Sequence, residues 1–239
     1  MKYTVSAIVP AYDKEVRISD VLKVLAKSKD INETICVYDG NDPHTLQAIK
    51  SIKKIKLLHS KKRHGKANAM GRGVEKAKSD IILFVDADIR GFTEKTIKQL
   101  IQPLQSGNFD CSLGYRSSTM EASFGVPLSG ERAYFKKDLE PHVKKFESMR
   151  YGGVELYLNY HFKNKRTKIL KLHGVYSYAK HHKYSTVKAT RLYAFSTYEL
   201  ISEIIRQKNP MYFLKSYMSY VYLGNKNLEE HIKFIYRGL

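Results

Sequence analysis

Acids, cysteines and long apolar runs are all scarce in this sequence. Against 42 lysines and arginines stand only 23 aspartates and glutamates, which leaves a net charge of +19 and a pI near 9.7. A field of that sign attracts polyanions: nucleic acid, an anionic membrane surface or phosphorylated substrates. Zinc-finger spacing, an aromatic-glycine RNA-binding signature and heptads are missing, so nucleic acid is an unfavoured partner. No stretch approaches the roughly 18 consecutive apolar residues of a transmembrane helix. The N-terminus runs straight into a strand-like segment, which leaves no room for a signal peptide. The two cysteines, Cys36 and Cys111, lack metal-ligand spacing and read as core thiols of a reducing compartment. The expectation is a cytoplasmic protein, peripheral at most on the inner face of the membrane.

What is present is an apolar content of 43% over 239 residues, enough for one large α/β domain or for one domain plus an appendage. The stretch Ile81-Ile82-Leu83-Phe84-Val85-Asp86-Ala87-Asp88 is its focus. The apolar run predicts a strand buried on both faces, as in a parallel sheet. Ligands of open α/β sheets bind beyond the carboxyl ends of the strands. In an extended segment, Asp86 and Asp88 point the same way and repel unless a cation lies between them. A hard ion such as Mg²⁺ or Mn²⁺ meets that need. The competing reading is that the two aspartates cap the next turn.

Around this focus, strands and helices alternate. Val5 to Pro10 predicts a strand that Pro10 stops, followed by the polar loop Ala11-Tyr12-Asp13-Lys14-Glu15. Residues 34–38 predict a second strand ending at Asp39-Gly40, and residues 55–59 a third, near an edge because it carries Lys56. The basic loop from Ser60 to Lys66 leads into a helix bearing Ala67, Met70, Val74 and Ala77. It is either a diphosphate site at a helix N-terminus or a solvated surface loop. Residues 111–115 predict a fifth strand closing on Arg116, and residues 129–137 a turn entering a short helix. A further helix carries Glu155 and Asn159 one turn apart, after Tyr151-Gly152-Gly153. The alternation argues βαβ units. The last stretch carries apolar stripes among lysines and tyrosines: basic amphipathic helices that lie on a membrane or pack on the domain.

Four of these pieces, in this order, resemble the glycosyltransferases of the GT-A fold, family 2 type: Pro10-Ala11-Tyr12-Asp13-Lys14-Glu15, Tyr38-Asp39-Gly40-Asn41, Gly65-Lys66 and Asp86-Ala87-Asp88. The resemblance implies an α/β, Rossmann-like, mostly parallel sheet flanked by helices, with a domain over residues 1–185 and a helical extension over 186–239. It implies that Pro10, Ala11, Tyr12, Glu15 and Asp39 line the base and ribose of a UDP- or GDP-sugar. Lys66 then lies near the base or diphosphate, Asp86 faces ribose or metal, and Asp88 is the main Mn²⁺ or Mg²⁺ ligand. The second half resembles two subgroups. Gly114-Tyr115-Arg116 and Ser129-Gly130-Glu131-Arg132 are similar to polyprenyl-phosphate sugar synthases, which implies that Arg116, Ser129 and Arg132 hold an acceptor phosphate. Pro127 to Glu131, with Gly152-Gly153-Val154-Glu155, is similar to glucosyl- and mannosyl-3-phosphoglycerate synthases. That likeness implies His181 or His182 as a further metal ligand, and Glu155 stands nearest to a catalytic or acceptor-site role. A pair of histidines in a loop is otherwise simply solvated.

The implied partners are a nucleotide-sugar donor, a phosphorylated or lipid-linked acceptor and an anionic membrane surface, with homo-oligomers left open. Two other readings compete. A sugar nucleotidyltransferase would carry a glycine-rich first loop where Pro10 to Asp13 stand. A nucleic-acid-binding domain would have no need of Asp88 and would bind with a steep salt dependence.

Overall fold

The structure, a computed structural model, describes residues 3–12, 17–116, 128–149 and 153–177, together with isolated helical positions between 187 and 218. Strands β1 (Val5–Tyr12), β2 (Glu33–Asp39), β3 (Ile55–Ser60) and β4 (Ile81–Phe84) alternate with helices α1 (Ile18–Lys27), α2 (Pro43–Lys50) and α3 (Lys66–Lys76). After β4 come the short β5 (Ile89–Arg90), α4 (Glu94–Gln105), β6 (Cys111–Arg116) and β7 (Glu131–Phe135). Helices α5 (Lys136–Leu139), α6 (Val143–Ser148) and α7 (Val154–His161) and strands β8 (Thr167–Leu172) and β9 (Tyr176–Ser177) complete the described set.

Seven strands form one sheet in the order β3-β2-β1-β4-β7-β6-β8. All neighbouring pairs are parallel except those of β7, which runs antiparallel to β4 and β6. The strand period of two splits the core cleanly. Val5, Ala7, Val9 and Ala11 of β1 face α1 and α4, while Ile8 packs with Ala67, Met70 and Val74 of α3 and with Phe146 and Leu158. With both faces covered, the strands are nearly continuous apolar runs. Helix α3 lies close on β1, since a Cβ at Gly73 would run into Ile8. Cys36 and Cys111 are buried free thiols, and burial pushes both up to about 12.

Three expectations need correction. Pro10 does not stop β1, which pairs with β2 as far as Tyr12↔Asp39. Ile8 accepts a hydrogen bond from Val85 on the β4 side, so Pro10, two residues on, also faces that side, where β4 has already ended at Phe84. Its missing N–H therefore costs the β2 ladder nothing. Residues 131–135 are a central strand and not part of a short helix; the helix begins only at Lys136. The adjacent charges Glu131 and Arg132 hide that strand, yet both are buried. Finally, β4 ends at Phe84, and Ala87 and Asp88 lie in a turn, so strand alternation does not set the direction of the two aspartates.

Among the described residues no helix is long and apolar enough to cross a membrane. The helical positions Val187, Tyr198, Ile205, Met211 and Met218 are all exposed.

Candidate active site

The carboxyl ends of β1, β2 and β4 and the start of α3 enclose a cleft of about 270 Å³. Pro10, Ala11 and Tyr12 close one wall, Asp39 stands at the end of β2, and Asp86, Ala87 and Asp88 follow β4. Arg63, Gly65, Lys66 and Ala69 complete the lining. Gly65 caps α3 with φ of 96°, a left-handed value that favours glycine. It turns the chain so that the first amides of α3 stand at the cleft, where they and the helix dipole favour an anion.

Each cleft group is held by a second layer. Asp39 accepts from the backbone N–H of His64 at 3.0 Å and forms a short ion pair with Arg72. Tyr12 is 43% exposed and carries the Arg63 guanidinium 4.4 Å from its ring centre, a cation–π pair at the mouth of the cleft. Lys66 sits between two acids, with its Nζ 2.7 Å from Asp86 and 2.7 Å from Glu155. Arg116 reaches the other oxygen of Asp86 at 2.8 Å and Glu131 at 3.1 Å, and donates to Ser177 at 2.7 Å. Gly130 presses on the back of Asp86, where any Cβ would overlap the carboxylate.

Charge pairing decides the protonation of this cluster. Burial pushes the Asp86 carboxyl up, but Lys66 and Arg116 outweigh it and hold the group down at about 2. Burial works against the charge on Lys66 and Arg116 as well, and their carboxylate partners overcome it, so both stay protonated. Glu131 is fully buried and its carboxyl is pushed up, with Arg116 opposing the shift.

The structure thus brings Pro10, Ala11, Tyr12, Asp39, Lys66, Asp86 and Asp88 to one cleft. It joins Glu155 and Arg116 to that cleft through Lys66 and Asp86. Two candidate acceptor residues lie inside instead. Ser129 is buried, and its one hydroxyl proton is shared between the Gly114 carbonyl and Glu131. Arg132 is 1% exposed and donates to Ser129, Tyr134, Glu155 and Asn159, so it presents no surface to an acceptor. Glu15, His181 and His182 lie outside the described residues. Among the described residues no group of three or more histidines, cysteines or acids is arranged to hold a metal. Two participants escaped the sequence reading, Arg72 on Asp39 and Glu131 on Arg116. Glu131 would have stood out as a lone acid in a strand, had β7 been recognised.

Comparison with known proteins bears on the fold and the family. A chain from Haloferax volcanii named Glycosyltransferase AglD is 26% identical over 170 residues, covering 63% of this chain and 27% of its own length. Dolichyl-phosphate beta-glucosyltransferase of Dictyostelium discoideum is 29% identical over 153 residues, covering 56% of this chain and 45% of its own. The matches therefore span only about a quarter to a half of those two relatives. The crystal structure of glucosyl-3-phosphoglycerate synthase from Mycobacterium tuberculosis, in complex with Mn²⁺, UDP and glucosyl-3-phosphoglycerate, superimposes with a TM-score of 0.63 at 20% identity. It covers 83% of this chain and 77% of that one. At that identity the likeness speaks to the fold alone, which is the GT-A fold. The family model described as glycosyl transferase family 2 matches residues 6–178; with nearly three quarters of its length matched, the chain belongs to that family.

Proposed function

We propose that the chain transfers a sugar from a nucleotide-diphosphate sugar, preferably a UDP-sugar, to a phosphorylated or lipid-linked acceptor with the help of a divalent cation. The observation that carries this reading is the cleft at the carboxyl edge of the sheet, where Asp39, Lys66, Asp86 and Asp88 converge beside the N-terminus of α3. The names of the relatives support it: one glucosylates dolichyl phosphate, and the structural neighbour is captured with Mn²⁺, UDP and a glucosylated phosphoglycerate.

The residues present fit a hard cation. Asp88 lines the cleft and offers oxygen ligands of the kind that Mg²⁺ and Mn²⁺ take, the rest coming from the diphosphate and water. Both oxygens of Asp86 already carry a cation, so Asp86 contributes by its charge and through Lys66. A bound divalent ion would supply Lewis-acid stabilisation of the leaving diphosphate. The remaining roles fall to the chain itself. Pro10, Ala11, Tyr12 and Asp39 hold the base and ribose. The first amides of α3 and the Lys66 ammonium take the diphosphate, and their fixed position costs no reorganisation as negative charge grows there. To Glu155, held 2.7 Å from Lys66, we assign the sugar and acceptor side. An acceptor phosphate is already ionised and needs no proton removed, whereas a hydroxyl acceptor would draw on Glu155 as base. An anionic membrane surface suits the net charge of +19, and the exposed helical positions Val187, Tyr198 and Ile205 supply apolar contact to it.

The test is thermal stability with Mn²⁺ or Mg²⁺ plus UDP, GDP, CDP or ADP, then nucleotide release with 3-phosphoglycerate or vesicle-borne farnesyl phosphate as acceptor. A metal-dependent rise with UDP that disappears in Asp88→Ala, which should still fold, is the expected result. Full turnover by Asp88→Ala would overturn the metal site, and the preferred acceptor separates soluble from lipid-linked chemistry.

A further inference from the structure

We infer that Arg132 is a positioning residue for Glu155 and not a ligand of the acceptor, an inference that rests on the transferase reading for the role of Glu155. Arg132 leads the fully buried side chains by volume, at 1% exposure. Its Nε donates to the Ser129 carbonyl at 2.5 Å. The same guanidinium donates to the Glu155 carbonyl at 3.3 Å, to Asn159 Oδ1 at 2.6 Å and to the Tyr134 hydroxyl at 3.3 Å. A phosphate could reach Arg132 only by stripping a buried cation of these bonds, which is costly.

What those bonds hold is the first turn of α7. That helix starts at Gly153 in the left-handed region, with φ of 97° and no side-chain cap, so its placement must come from elsewhere. Arg132 grips it from the sheet side at Glu155 and again one turn on at Asn159. From that turn the Glu155 carboxylate emerges to meet Lys66 at 2.7 Å, and Lys66 meets Asp86 at 2.7 Å. A continuous line of contacts therefore runs from the core of β7 to the cleft. The planar fork of arginine serves several acceptors at fixed angles, which an ammonium does not. Moving Glu155 by an ångström misaligns the acceptor side of the site and reaches the donor side only through Lys66, which Asp86 still holds at 2.7 Å.

The experiment compares Arg132→Met, Asn159→Ala and Glu155→Gln, singly and combined, by nucleotide release from UDP-glucose with 3-phosphoglycerate and separately with farnesyl phosphate. For Arg132→Met we expect kcat to fall about a hundredfold. Acceptor KM and Mn²⁺–UDP affinity should hold within about threefold, and Glu155→Gln should add almost nothing on top. A tenfold or greater rise in acceptor KM with kcat retained, or losses that multiply, would overturn the inference and return Arg132 to the acceptor. Should Arg132→Met fail to fold, Asn159→Ala decides: kcat down about tenfold and not additive with Glu155→Gln supports it, and kcat unchanged overturns it. Amide exchange of residues 153–161 gives a reading independent of turnover. Faster exchange confined to α7 in Arg132→Met or Asn159→Ala supports the inference, and unchanged exchange overturns it. A wild-type chain that turns over no nucleotide sugar would sink the transferase reading while this exchange still decided the part played by Arg132. Full activity of Glu155→Gln would remove the role of Glu155 itself.

Discussion

Replacing Lys66 by methionine removes one of the two cations on Asp86 and keeps most of the aliphatic stem. In the folded protein burial raises the Asp86 carboxyl, and Lys66 and Arg116 bring it down to about 2 from an ordinary 3.8. That lowering corresponds to about 2 kcal/mol of folded-state preference for the carboxylate. Lys66 and Arg116 approach different oxygens of Asp86 at 2.7 and 2.8 Å and together first offset the burial that raises the carboxyl, so the share of Lys66 is more than half of that net figure, above about 1 kcal/mol. The folded pKa lies below the unfolded one. This stability is therefore complete above about pH 4 and drains away as pH falls toward 2. In Lys66→Met, burial is opposed by Arg116 alone, so the Asp86 carboxyl should titrate clearly higher than in the wild type, and the urea midpoint at pH 7 should drop by the equivalent of about 1 kcal/mol or more. Carboxyl ¹³C shifts of Asp86, assigned through Asp86→Asn, follow the titration directly. An Asp86 that still titrates at about 2 in Lys66→Met would refute the assignment of Lys66 as its partner.

Gly130→Ala places a methyl group on the Asp86 carboxylate, which must swing off Lys66 and Arg116. Mn²⁺–UDP affinity, measured calorimetrically, should fall by about tenfold or more while the sheet stays folded; an unchanged affinity would show that Asp86 does not need this position. A second prediction concerns the far side of α7, where the rings of His142 and His161 lie 5.0 Å apart and His142 Nδ1 sits 2.9 Å from the Tyr157 hydroxyl. Burial lowers both imidazoles, and in His161 the neighbouring His142, Lys163 and Lys145 add to it, bringing that group to about 4. Stability from this pair is therefore full above pH 6.5 and is lost as the pH falls from there toward 4, because only the unfolded chain takes up the protons. His161→Asn should flatten urea midpoints between pH 7 and 5, and an equal slope in variant and wild type would contradict the contact.

The half of the sheet from β1 to β4 was readable because parallel strands covered on both faces write themselves as apolar runs, and Lys56 marked β3 as an edge. The same logic failed at β7. Its opening residues, Glu131 and Arg132, look solvated in one dimension, yet each is buried among partners. Arg116, Ser129, Asn159 and Glu155 lie 2 to 27 residues away from them. No local pattern announces partners at such distances. The Asp-x-Asp argument asked for positive charge beside the two acids, and at Asp86 side chains from α3 and β6 supply it. Arg132 shows the limit of transferring a role along a motif: burial depth, which no motif records, turned a proposed ligand inward.

The reversed direction of β7 has a consequence for how such a sheet diversifies. Gly114 of β6 pairs with Glu131 of β7, so the chain leaves the sheet and re-enters it at the same rim, beside Asp86. An insertion between those two points would begin and end beside Asp86 without altering a strand register, and loop length is entropically inexpensive. The β1–β2 part is under the opposite restriction, since Pro10, Ala11, Tyr12 and Asp39 are the strand ends themselves. A lineage built on this plan would inherit its donor end as a fixed socket and exchange its acceptor end like a tool bit, one connection at a time.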